Sequence, residues 1–126
     1  MKFTEISKIE KIKKLIDNGN LSEAFTEVCE FMSREPDSPV PHNILGIIYD
    51  IQGEKTRAMN HFRAACALDG TYLPSRCNLY LAAGISGKGV MKFYPEECSE
   101  EQKDNYIIRY EKGVGYIEKE AKNNGK

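Results

Sequence analysis

Laid against itself at an offset of 34 residues, the chain matches in size and chemistry at fixed positions: Gly19 with Gly53, Ala24 with Ala58, Glu35 with Asp69, Leu45 with Leu79. Val28 pairs with Phe62 and Leu15 with Tyr49 at the same offset. A period of this length constrains the fold strongly, because each unit is one supersecondary element that cannot bury its apolar face alone and must stack on its neighbour. Within each period the apolar residues recur at three- and four-residue steps, the spacing of one helical face. Ile6, Ile9, Ile12, Leu15 and Ile16 make the first face, and Leu21, Ala24, Phe25, Val28, Phe31 and Met32 the second. Ile44, Leu45, Ile48 and Tyr49 make the third, and Ala58, Phe62, Ala65 and Cys66 the fourth. A fifth begins near Pro74 and carries Leu79, Ala82 and Ala83.

The punctuation agrees with two helices per unit. Gly19 can take the left-handed conformation that closes a helix, and Asn20 with Glu23 reads as a capping box. The prolines of "REPDSPVP" suit a turn and the first turn of a following helix. No strand-like alternation of apolar and polar residues occurs over this length, so the class is all-α. The units run over about 5–38, 39–72 and 73 onward, within a single domain 1–126 of ordinary size.

The third unit departs from the pattern. In strict register Lys92 and Glu96 would stand where Ala58 and Phe62 stand, which would put two charges in the core. The stretch "SEEQKDNYIIRYEKGVGYIEKEAKN" predicts a long C-terminal helix over about 99–122. Ser99 and Gln102 form its capping box, and Tyr106, Tyr110, Val114, Ile117 and Ala121 its inner stripe. Tyr110 and Gly113 then replace Phe62 and Ala65, 14 residues later than the period requires. The third unit therefore extends over 73–113 around an insertion near 86–98, longer than the roughly 2–8 residues of most helix connections. The C-terminal helix is expected to cap the stack.

Leu45-Gly46, Tyr49, Gly53, Ala58, Phe62 and Ala65 reproduce in order and spacing the small and large residues of the tetratricopeptide repeat, which the chain resembles best over 39–72. Elsewhere it departs from that pattern: Lys11-Ile12 replaces the Leu-Gly pair of the first unit, Asp69-Gly70 stands where the family usually has proline, and His42 replaces a large aromatic. The resemblance implies an α-solenoid of antiparallel helix pairs, about 2.5 to 3 repeats. It also implies a concave groove, lined by the first helix of each repeat, that holds a peptide or an amphipathic helix of another protein. Carried over by register, the groove positions are Ile9, Lys13 and Ile16, then Asn43, Ile47, Asp50 and Ile51, then Cys77, Leu81 and Ile85. This face is notably apolar, and the chain's own C-terminal helix or 86–98 loop is the alternative cover for it. The Lys, Asn and Arg clamp with which some relatives grip a terminal carboxylate is absent, since Ile9, Lys13, Ile44, Pro74 and Asn78 stand in its places.

Charge and motif readings exclude other classes. Eighteen basic against nineteen acidic residues give no positive field to draw the chain to nucleic acid or an anionic membrane. The N-terminal stretch lacks the apolar core and cleavage site of a secretory signal, and no apolar run is long enough to span a bilayer, so a cytoplasmic protein is expected. Cys29, Cys66, Cys77 and Cys98 fall at irregular spacings with no C-x-x-C pair, which reads as buried reduced thiols without a metal or redox motif. His42 and His61 have no partner at ligand spacing, and "GISGKGV" fails as a phosphate loop on spacing and context. Glu96-Glu97 and Glu100-Glu101 read as helix-start charges, and Lys8, Lys11, Lys13 and Lys14 as a solvated face. The expectation is a non-enzymatic adaptor or scaffold with no cofactor. The alternative is an assembly subunit that forms a homodimer through the solenoid end or the C-terminal helix.

Overall fold

A computed structural model of the chain describes residues 3–84 and 90–98, and the backbone of 106–111 and 114–119. Five helices fill the first stretch: α1 (Phe3–Asp17), α2 (Leu21–Arg34), α3 (Val40–Ile51), α4 (Lys55–Leu68) and α5 (Leu73–Ala82). A 3-10 turn, Pro95–Glu97, follows, and then strands β1 (Tyr106–Glu111) and β2 (Val114–Lys119).

The 34-residue period of the sequence is also a period of backbone hydrogen bonds. Asn18 and Gln52 donate to Lys14 and Ile48, Gly19 and Gly53 to Ile16 and Asp50, and Asn20 and Glu54 to Leu15 and Tyr49. Further along, Ala24 and Ala58 donate to Asn20 and Glu54, and Glu35 and Asp69 to Phe31 and Ala65. Gly19 and Gly53 take φ +78 and +79, so each closes its helix in the left-handed region that glycine enters without strain. Gly84 does the same at φ +73, but only 31 residues beyond Gly53. Helix α5 is thus 10 residues long against 12 in α3, and it stops nearly a turn early. The Asn20–Glu23 capping box does not form: Asn20 stands at the N-cap but makes no side-chain cap bond.

Each helix packs on its neighbour in sequence, and α3 also touches α5. The core they enclose runs from Ile9 and Ile12 of α1 through Val28 and Phe31, Ile44 to Ile48 and Phe62 to Leu79. The small residues lie where helices meet. Ala24, Ala58 and Ala65 are fully buried, and a Cβ built on Gly46 would overlap the ring of Phe62. Van der Waals contact between α3 and α4 at that point requires the missing side chain.

The C-terminal helix expected over 99–122 is overturned between 106 and 119. There β1 and β2 pair antiparallel, Tyr106 opposite Lys119 and Glu111 opposite Val114. Tyr106, Ile107, Ile108 and Tyr110, with Val114, Tyr116 and Ile117, are β-branched and aromatic residues that favour a pleated strand over a helix. The two residues between the strands are Lys112-Gly113, and glycine second in a two-residue connection is a hairpin signature. The helical stripe Tyr106, Tyr110, Val114, Ile117 was real as a spacing, but strand propensity and turn chemistry outweighed it. Tyr110 accordingly lies in β1 and does not replace Phe62 on a helix. The capping box at Ser99 and Gln102, the remainder of 99–105, Gly113 and 120–126 lie outside the described residues.

Candidate functional site

Most of the groove positions carried over from the family pattern come together, and the chain itself covers them. Ile9 of α1, Asn43 and Ile47 of α3 and Cys77 of α5 are all buried. Lys13, Asp50 and Leu81 are half-buried, Ile51 is exposed, and Ile85 lies outside the described residues. The cover is the segment 90–98. Phe93 inserts into the same core cluster as Ile9 and Ile47 and is only 5% exposed, with Met91 and Tyr94 packed beside it.

Two asparagines hold this segment by its main chain. Asn78 Oδ1 accepts the Lys92 N–H at 2.6 Å, and Asn78 Nδ2 donates to the Lys92 carbonyl at 2.8 Å. Asn43 Nδ2 donates to the same carbonyl at 3.0 Å, and Asn78 Nδ2 also meets Asn43 Oδ1 at 2.9 Å. Both asparagines are fully buried, so each amide group needs a partner, and the backbone of residue 92 supplies it. Leaving such a group buried and unpaired costs about 1–3 kcal/mol.

The flanks complete the seat. The Tyr72 hydroxyl donates to the Phe93 carbonyl at 3.2 Å, and burial holds that phenol well above its ordinary pKa, so it stays a donor at neutral pH. Lys13 Nζ lies 5.6 Å from the centre of the Phe93 ring, a cation over an aromatic face. Glu97 turns back so that Oε1 accepts the N–H groups of Phe93 and Tyr94 at 2.7 and 2.9 Å, which closes Tyr94-Pro95-Glu96-Glu97 into a hook. Glu97 is therefore a turn-closing carboxylate. Cys98, at the end of the hook, is buried.

The 86–98 loop was one of the two covers the sequence offered for this face, but the parts of Asn78 and Tyr72 in holding it were not singled out. An asparagine beside Leu79 on an apolar face was the available signal, since a buried amide announces a polar partner. Ile47 had looked like an accessible groove residue; at 2% exposure it is core, and a charge placed there would probe folding.

Other polar groups are engaged structurally. Lys8 pairs with Glu35 at 2.8 Å and Lys11 with Glu27 at 3.3 Å, so these lysines tie α1 to the unit's second helix where a free solvated face was expected. His42 and His61 meet across α3 and α4, Nδ1 to Nδ1 at 3.1 Å, with the ring of Tyr49 stacked on His61. Cys29 is exposed, contrary to the expected burial of all four thiols. Among the described residues no three His, Cys, Asp or Glu side chains gather as a metal site, and no helix is long and apolar enough to cross a membrane. Comparison with family models, with curated proteins and with solved structures finds no match.

Proposed function

We propose that the chain is a non-enzymatic protein-interaction module of the tetratricopeptide type, a short α-solenoid whose groove receives an extended peptide of a partner protein. The observation that carries this reading is the two-sided grip of Asn78 on the N–H and carbonyl of one residue, Lys92, reinforced by Asn43. Residues in the middle of a helix spend both groups on their own ladder, so this grip selects an extended backbone and disfavours the amphipathic helix that the sequence left open. An aromatic residue follows the gripped one into the apolar floor, as Phe93 does. The recurring hydrogen bonds and the resemblance of 39–72 support the solenoid reading. Segment 90–98 packs on the face that this reading assigns to the groove, so a partner must compete with it.

The test is a fluorescent peptide with the sequence of residues 90–98, titrated into the full chain. Lys92→Pro removes the N–H that Asn78 accepts and leaves Phe93 and the helices intact, so it should empty the groove. Because a tethered segment competes at an effective concentration of roughly millimolar, the peptide should bind the variant at least about tenfold more tightly than the wild type. Equal binding to both proteins, or binding to neither, would sink the proposal.

A second reading, self-association, draws support from the ribbon. Each of β1 and β2 is hydrogen-bonded to one neighbouring strand among the described residues, so each presents an outer edge of the kind that pairs with another chain. Sedimentation at several concentrations tests it; a strict monomer rules it out.

A further inference from the structure

The hook Tyr94-Pro95-Glu96-Glu97 is held by hydrogen bonds within the segment. Glu97 Oε1 accepts the N–H groups of Phe93 and Tyr94, and the Glu97 and Cys98 N–H groups bond back to the Tyr94 and Pro95 carbonyls, each at 3.1 Å. Pro95 has no N–H to satisfy, and proline at the start of such a turn fixes its φ in advance. The helices grip what precedes the hook: the main chain of Lys92, and the ring and carbonyl of Phe93.

Each position of the segment thus meets a different demand. At 92 the asparagines bond the main chain, so any residue with an N–H serves. At 93 the apolar floor, with the Lys13 cation 5.6 Å from the ring centre, calls for an aromatic side chain. The turn calls for proline at 95 and, at 97, for an acceptor long enough to reach back three and four residues. Glu96 between them is exposed. Position 94 is filled less well. The Tyr94 ring packs on the core, but its hydroxyl oxygen is sealed from solvent and meets no hydrogen-bond partner among the described residues. Phenylalanine would keep the ring and drop the orphaned hydroxyl.

We infer that the groove's partner is a peptide with the pattern aromatic-Phe-Pro-x-Glu, and that the chain's own segment is a weakened copy of it. This pattern rests on the peptide-binding reading of the groove and names the ligand for that same site. The weakness has a use. A tethered segment competes at roughly millimolar effective concentration, which a partner overcomes by making better contacts at the same positions. Without the orphaned hydroxyl, a partner binds roughly fivefold more tightly or better. Proline and the reaching carboxylate preorder the free peptide, so that less freedom is lost on docking.

Fluorescent peptides with the sequence of 90–98, parent and variants, are titrated into the full Lys92→Pro chain. Phe93→Ala, which vacates the floor, is a second host should the first fail to fold. In the peptide, Tyr94→Phe should tighten binding by roughly fivefold or more, and Glu97→Ala should weaken it by about tenfold. Pro95→Ala should weaken it by about two- to fivefold, through the added freedom of the unbound peptide. Glu96→Ala removes the same charge as Glu97→Ala from an exposed position and should leave affinity unchanged. If the parent binds and Glu97→Ala matches it, or Glu96→Ala weakens it equally, the hook is no part of recognition; the pattern is overturned while the groove stands. If Tyr94→Phe gains nothing, the weakened copy is overturned. Unlabelled wild-type chain that displaces the parent peptide as well as the Tyr94→Phe peptide does would assign the groove to a second copy, which also overturns the pattern. Failure of every peptide to bind sinks the peptide-binding reading itself.

Discussion

Adding one methyl group at Gly46 drives it into the edge of the Phe62 ring, which is fully buried and has nowhere to turn. Overpacking of this kind costs typically about 1–3 kcal/mol, more than the roughly 1 kcal/mol that alanine gains over glycine in a helix. Gly46→Ala should therefore lower the urea midpoint, with a net loss of up to about 2 kcal/mol; an unchanged or raised midpoint would show that α3 and α4 can part without cost. The need for a small residue at this position was legible only through the resemblance of Leu45-Gly46 to the tetratricopeptide pattern, since the 34-residue period itself sets the large Ile12 and Tyr80 against Gly46. The asparagine grip was not. Asn43 and Asn78 lie 35 residues apart, one off the period, and their meeting depends on the side-chain reach between α3 and α5.

At the scale of elements, the α3–α4 seam carries a titratable joint. Burial lowers the pKa of both His42 and His61 below the ordinary 6.5, and the neighbouring His42 lowers His61 further. The 3.1 Å contact needs one Nδ1 protonated and the other bare, so the accepting ring is neutral and the contact cannot survive protonation of both. The sign follows from proton counting. Between 6.5 and the depressed folded values the unfolded chain binds more protons than the folded one, so stability falls as pH drops through that window. Tm should fall between about pH 7.5 and 5.5, and the fall should shrink in a His42→Gln/His61→Gln double variant; identical slopes would remove the pair from the account. Each histidine had looked isolated in sequence, since antiparallel packing of two helices sets their encounter. The ribbon teaches the opposite lesson. Its signals, the run of Tyr and Ile and the Lys112-Gly113 connection, are local, and they compete in the same stretch with a helical spacing of four apolar residues.

For the whole molecule, every buried residue among those described lies between Ile9 and Cys98, with Phe93 as the last large hydrophobe of the core. A chain ending at residue 98 should keep its helical circular dichroism and melt cooperatively within a few degrees of the full chain. A chain ending at residue 89 loses Phe93 and leaves the Asn43 and Asn78 amides without the Lys92 backbone, and should melt lower by roughly 10 °C or more. Unfolding of the longer truncation would mean that residues beyond 98 contribute core the helices need. The sequence by itself determined five helices through residue 84, the glycine that ends each pair's first helix, and the buried small residues. These follow from local conformational preference and from a repeated spacing, both written along one strand of chain. Only the tertiary structure decided what lies in the groove. The seating of 90–98 depends on a buried amide from each of two helices converging on one peptide unit, and on α5 stopping nearly a turn early at Gly84. Such convergence is a property of positions in space between residues of unrelated register, and no periodicity along the chain encodes it.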